Sequence, residues 1–300
     1  MTSRSGTQND DIVAIPLRHP WRWVSAALVV LILGAFVYSL WSSPNVNHSI
    51  INEFLFDKRV IGAAGLTVLL TVISMFIGTV LAILLAIMKL STNPVLRIVS
   101  TAYVGFFRGT PLLLQVVFWG YLGIIYPKVE IGIPFTDFLL FSEKTSLVFT
   151  SLVAGIIALS LNEAAYAAEI VRAGILSVDS GQTEAAKSLG MSTGYTLRRI
   201  VLPQAMRVII PPMGNEFISM LKNTSLLQVV AVMELYARTS QISSQNLAQV
   251  ELLVVAGFWY LVMTTVLSWP QSYLEKRYGR GFSAPNQQQR WLRFSSKASA

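Results

Sequence analysis

Five ionisable residues lie inside long apolar runs of this 300-residue chain: Arg108, Glu163, Glu169, Glu216 and Lys222. A charge in such a setting is costly unless it faces a polar cavity or a partner, so each marks either a binding function or an internal ion pair. On a helix turning about 100° per residue, Asn162, Tyr166 and Glu169 fall within about 60° of one another, and Glu163 points about 100° away from Asn162. Glu216, Ser219, Met220 and Asn223 share a second face, from which Lys222 points away. Two such faces could line one path and hold a zwitterion. A carboxylate such as Glu163 or Glu216 suits an ammonium group. Backbone freed near Gly109 and Pro111, together with Thr110, suits a carboxylate, because broken helices are tolerated where they line a polar cavity. The competing reading is internal pairing of Glu169 with Arg172 and of Glu216 with Lys222. It is preferred for Glu169 and Lys222, with Glu169 and Arg172 also placed to snorkel to the inner interface. Arg108 is read as structural.

Other chemistries find no support. There is no cysteine, and the two histidines, His19 and His48, sit outside the apolar runs. That leaves no basis for disulfides, a Cys-ligated metal or a His-based centre. No G-x-x-x-x-G-K-[ST] segment is present to cradle nucleotide phosphates, and no Ser/His/Asp set is evident. The chain is read as a non-enzyme that binds no cofactor.

The elements that must position these residues follow from composition. Hydrophobic residues make up 53% of the chain and charged ones 13%, about half the usual charged share of a soluble domain. Six apolar segments approach the roughly 20 residues needed to cross a hydrocarbon core: Val24–Trp41, Val60–Met88, Ile98–Tyr126, Ser146–Val171, Val208–Met233 and Leu252–Trp269. Backbone groups cannot go unpaired in lipid and the runs are too long for barrel strands, so these are helices. The fold class is all-α and polytopic, with about six spans. Arg108-Gly109-Thr110-Pro111 interrupts the third, making it bent or two pieces, and Pro211-Pro212 makes the start of the fifth irregular.

Lysine and arginine set the orientation. With the N-terminus inside, the inner regions 1–23, 89–97, 172–207 and 270–300 carry sixteen basic residues, and the outer regions 42–59, 127–145 and 234–251 carry five. Both termini are therefore expected inside. The net charge of +8 is read as this topology signal rather than as nucleic-acid binding. Val24–Trp41 is read as an uncleaved anchor, because a long polar segment precedes it and no small-x-small site follows. Trp21, Trp23, Trp41, Trp119 and Trp269 fit interface anchors among membrane lipid. Gly62 to Gly65, and Gly78 with Ala82, permit close helix packing and could form a dimer seam.

The longest inner connection, 172–207, has a pattern of its own. Asp179-Ser180-Gly181 is a turn and cap signal, Thr183–Leu189 holds good helix formers, and Gly190 is placed to stop that helix. A second helix is expected over Tyr195–Val201, ended or kinked by Pro203. Glu184, Ala185 and Ala186 precede Gly190 by a fixed offset, and Ile200-x-Leu202-Pro203 follows it after nine intervening residues. The result is a rigid knob. Its small residues allow close approach to a partner, and Glu184 and Lys187 are placed for ion pairs.

This spacing resembles the cytoplasmic loop signature of bacterial ABC importer permeases. Arg108–Gln115, Glu163–Gly174, Asn215-Glu216-Phe217 and Leu221–Leu226 are similar to elements of the polar amino acid branch, the histidine/glutamine/arginine group. The similarity covers about 60–275. The resemblance implies a type I permease core of five helices, to which 24–41 is an addition, with polar tails at 1–23 and 276–300. It implies a bacterial cytoplasmic-membrane subunit paired with a second permease copy, identical or related. ABC ATPase subunits carrying ATP and Mg would dock on Glu184, Ala185, Ala186, Lys187, Gly190, Ile200, Leu202 and Pro203. An extracytoplasmic binding protein would deliver an amino acid to a path along Thr110, Asn162, Glu163, Tyr166, Glu216, Ser219 and Asn223. The rival is a transporter driven by an ion gradient, which would share the intramembrane acids but has no need of the loop. A structural or accessory subunit would not require the acids within the spans.

Overall fold

The long apolar runs become helices in the computed structural model, which describes residues 20–133 and 138–278. The chain divides into two units, 1–47 and 48–300. The first contains α1, Pro20–Trp41, whose Leu28, Leu31, Ile32 and Phe36 are all more than half exposed. A helix apolar on every side suits lipid.

The second unit opens with α2 (His48–Leu55) and α3 (Lys58–Leu90). Asp57 caps α3 by accepting from the Arg59 backbone N–H at 2.7 Å. Next come α4 (Pro94–Gly109), α5 (Leu112–Gly120) and α6 (Leu122–Ile125). Strands β1 (Lys128–Gly132) and β2 (Leu139–Lys144) pair antiparallel, with Lys128 opposite Lys144. They lead through α7 (Thr145–Val148) into α8 (Ser151–Leu176). After α9 (Ser180–Ser188) and α10 (Thr193–Thr196), a π turn over Leu197–Val201 enters α11 (Leu202–Asn223). A 3-10 stretch (Thr224–Val230), α12 (Leu235–Asn246) and α13 (Gln249–Tyr278) complete it.

The centre of this unit is the α3–α8 seam. Buried Ala82 and Leu85 of α3 meet Ala164, Ala165, Ala167 and Ala168 of α8, with Val104 of α4 against them. Lipid is as apolar as leucine, so small residues that allow backbones to approach drive such packing more than hydrophobicity does. The opposite face of α3 carries Leu69, Val72, Phe76, Val80 and Ile87, all exposed at helical spacing. Glu234 ties three helices together. Its carboxylate caps α12 by accepting from Ala237 N–H at 2.8 Å, and it also accepts from Tyr260 Oη at 2.8 Å and Thr67 Oγ1 at 3.4 Å.

Among the described residues, four helices, α1, α3, α8 and α13, are long and apolar enough to cross a membrane unbroken. The third expected segment is three pieces, α4, α5 and the short α6, broken at Thr110-Pro111 and again at Tyr121. The fifth differs from expectation at both ends. Its helix begins at Leu202, runs through Pro211 and Pro212, and stops at Asn223. Hydroxyls close it early: Thr224 donates to the Leu221 carbonyl and Ser225 to that of Lys222, which tightens the last turn toward 3-10 geometry. Pro203 does not end the helix: it falls in the first turn of α11, directly after the π turn over Leu197–Val201. The hairpin corrects the all-α expectation, and α2 and α12 fall in stretches expected as outer connections. Most of both expected tails lies outside the described residues; 20–23 and 276–278 are helical.

Candidate functional site

A cavity of about 510 Å³ lies where the broken third segment meets α8 and α11. Its lining includes Arg108, Thr110, Asn162, Glu163, Tyr166, Glu216 and Asn223. Six of the seven residues expected along a path thus share one space. Ser219, half-buried on α11, is not among the lining.

The break itself is held open by amides. Pro111 brings no N–H to α4, so carbonyls near its end need other donors. Gln115 Nε2 supplies them, lying 3.0 Å from the Phe107 carbonyl and 2.8 Å from Thr110 Oγ1. Thr110 donates its own hydroxyl to the Phe106 carbonyl at 2.9 Å. Asn162 Nδ2 crosses from α8 to the Phe107 carbonyl at 3.2 Å and Gln115 Oε1 at 3.0 Å. Thr110 and Asn162 therefore fix the wall. Gln115 lies in the Arg108–Gln115 element but was not singled out, since its role depends on a fold-back onto the break.

The charged lining is arranged on this frame. Glu163 is buried, 4% exposed, and its Oε1 has no hydrogen-bond partner among the described residues. Arg108, read as structural from the sequence, lines the cavity, and its guanidinium lies 5.2 Å from the centre of the Tyr166 ring. The stacking leaves its edge donors for an anion. Glu169 is not in the cavity: it bonds Lys89 of α3 and Arg172, the latter at 2.8 Å. The pairing with Arg172 is the one expected; Lys89 comes from a helix far away in sequence. No Glu216–Lys222 ion pair is seen among the described residues.

The loop after α8 forms a separate, exposed feature. Asp179 accepts from the Gly181 N–H at 2.8 Å and starts α9. Gly190 adopts φ +73°, and the Met191 and Gly190 N–H groups bond the Ala186 and Lys187 carbonyls at 3.0 and 2.9 Å. This left-handed stop closes the orphan carbonyls and favours glycine. Glu184, Ala185, Lys187 and Pro203 are exposed, Ile200 and Leu202 half-buried, and Ala186 buried. Leu189, not singled out in the sequence, is 81% exposed at the tip.

Residues 78–280 match the family described as "Binding-protein-dependent transport system inner membrane component". Over 280 residues the chain is 46% identical to the arginine transport system permease protein ArgU of Corynebacterium glutamicum, covering 92% of this chain and 86% of that one. It is 38% identical over 221 residues to the L-cystine transport system permease protein TcyB of Bacillus subtilis, covering 73% and 86%. Among solved structures, an amino acid ABC transporter crystallised with histidines matches with TM-score 0.61 and 33% identity, over 73% of this chain and 94% of that one. The MetNI methionine ABC transporter, at 18% identity and TM-score 0.53 over 73% and 95%, shares the fold. These relatives do not favour the gradient-driven alternative. ATP hydrolysis in such systems lies on a separate subunit, and the permease is not an enzyme. With a family match over most of its length and relatives that share it, this chain belongs to the binding-protein-dependent inner membrane components, as the permease subunit of an ABC importer.

Proposed function

We propose that this permease passes a cationic amino acid, of which arginine is the model, through the cavity between the broken third segment, α8 and α11. The observation that carries the reading is the cavity's charge pattern: among the described residues, Glu163 and Glu216 line it together with one guanidinium, that of Arg108. A cationic amino acid has two positive groups and one carboxylate, which matches that count. The 46% identical relative named for arginine transport supports the same class. Arg108 meets the carboxylate in a bidentate pair, and Glu163 and Glu216 receive the two cationic groups.

In this reading the permease domain is 60–275, with five core spans and α1 as a sixth. Both termini face the cytoplasm, as the excess of basic residues in the inner regions supports. The 172–207 connection is then cytoplasmic, and α9 with Gly190 is the knob on which the ATPase docks. Exposed Leu189 gives it an apolar tip. A second permease copy and an extracytoplasmic binding protein complete the assembly, and ATP with Mg stays on the ATPase. ATPase closure moves the knob as a rigid body and turns the cavity outward; hydrolysis returns it.

The test is uptake by proteoliposomes holding the permease with its ATPase and binding protein. Labelled L-arginine should accumulate only when ATP is available to the ATPase, and excess lysine should compete better than citrulline, the neutral isostere. Uptake that needs a proton gradient but no ATP would overturn the assembly. Equal competition by citrulline would overturn the cationic assignment.

A further inference from the structure

Glycines in this fold do not all do the same work. Among the described residues, a Cβ added at Gly62 or Gly65 of α3 would meet nothing within 4 Å. At Gly78 of the same helix it would lie 2.8 Å from Glu163 Cγ, 2.9 Å from Glu163 Cβ and 3.1 Å from the Ser160 carbonyl oxygen. The first two distances are well inside van der Waals contact, and the third is to backbone. A methyl group there has no free direction along the seam. It displaces the Glu163 side chain or parts α3 from α8.

We infer that Gly78 is a positioning residue for the Glu163 carboxyl, setting where that acid sits at the edge of the cavity. The inference rests on the cationic-substrate reading above. The Glu163 stem lies flat against α3 where Gly78 has no side chain. The whole residue is 4% exposed. A glutamate has three rotatable side-chain bonds, and confinement between two helices removes most of that freedom before a ligand arrives. Without confinement, Arg108 on the same cavity would attract the acid and cancel the charge a cationic substrate needs. No described ion pair joins Arg108 to either cavity acid. Gly78 thus acts on substrate through Glu163, from a helix that does not line the cavity.

The deciding measurement is binding of L-arginine to the purified permease–ATPase complex, without binding protein, in a double-substitution cycle. Wild type, Gly78→Ala, Glu163→Gln and the double variant are compared. Each single substitution should weaken binding by about tenfold, the scale of one lost charged hydrogen bond. The double variant should match Glu163→Gln, because the acid that Gly78 positions is already gone. Equal losses on both backgrounds would make Gly78 a general packing residue and overturn the inference. So would wild-type binding by Gly78→Ala when Glu163→Gln binds weakly. If Glu163→Gln itself binds as wild type, the reading of the cavity fails instead. Should Gly78→Ala yield no complex, it is paired with Glu163→Gly, which removes both the Cγ and the Cβ that the new methyl meets. Recovery of that pair supports the contact; failure to recover it overturns it.

Discussion

The cavity draws its residues from α4, α5, α8, α11 and the 3-10 stretch after it, whereas the coupling residues proposed for the loop all fall between 184 and 203. The cavity's acids are buried or half-buried, and its wall is cross-braced by Gln115 and Asn162. The loop's Glu184, Ala185 and Lys187 face outward, and Leu189 is bare. A ligand the size of an amino acid needs groups converging from several directions, which only long-range packing supplies. A docking knob needs local rigidity and an open face, which a capped helix and one left-handed glycine supply. The two regions should therefore respond to substitution independently.

The largest effect belongs to the knob. Gly190→Trp should abolish co-purification of the ATPase while the helical circular dichroism of the permease stays at the wild-type level. At φ +73° any side chain costs about 1–2 kcal/mol, and an indole adds bulk on the exposed face. Gly190→Ala should keep part of the ATPase. Full retention of the ATPase by Gly190→Trp would remove the knob from the docking surface.

A smaller effect is expected in the cavity. Glu216→Gln should weaken arginine binding about fivefold, near 1 kcal/mol, because a half-buried acid is better solvated and contributes less than a buried one. ATPase retention should be that of wild type. If Glu216→Gln sheds the ATPase, the two regions are not independent and the comparison breaks.

The difference in construction also explains what could be read from the chain. The loop's turn, helix and stop are local, so Asp179, the helix formers and Gly190 announce them at fixed offsets. The break at Thr110-Pro111 is local too, because proline removes a donor from the helix. Helical periodicity on α8 and α11 brought Asn162, Glu163, Tyr166, Glu216 and Asn223 into view, but not Arg108's place beside them. That depends on how α4 packs on α8, through Tyr103 Oη donating to the Leu161 carbonyl at 2.9 Å. The continuous helix through Pro211-Pro212 was hidden for the same reason. Two adjacent prolines read as an irregular start, yet packing of Ile209 and Met213 against neighbouring helices holds the segment helical. The hairpin had a faint signal in the alternation of Val129 and Ile131, and Glu234 as a cap for α12 carried another.

Between cavity and knob lies one continuous element, and the smallest expected effect tests whether it links them. Helix α8 carries Glu163 in the cavity, then Glu169 and Arg172 nearer its end, and it leads within three residues into α9. Glu169 clamps this end to α3 through Lys89 and to its own helix through Arg172. The three side chains are 18 to 31% exposed, so the pairs are partly screened and together contribute about 1 kcal/mol. Glu169→Gln should lower the melting temperature of the purified complex by a few degrees, with arginine binding and ATPase retention both preserved. If α8 carries motion of the knob to the cavity as a rigid rod, loosening its clamp should lower the arginine moved per ATP hydrolysed. Uptake and hydrolysis falling in strict proportion would mean that Glu169 only stabilises the seam, and that the rod lies elsewhere.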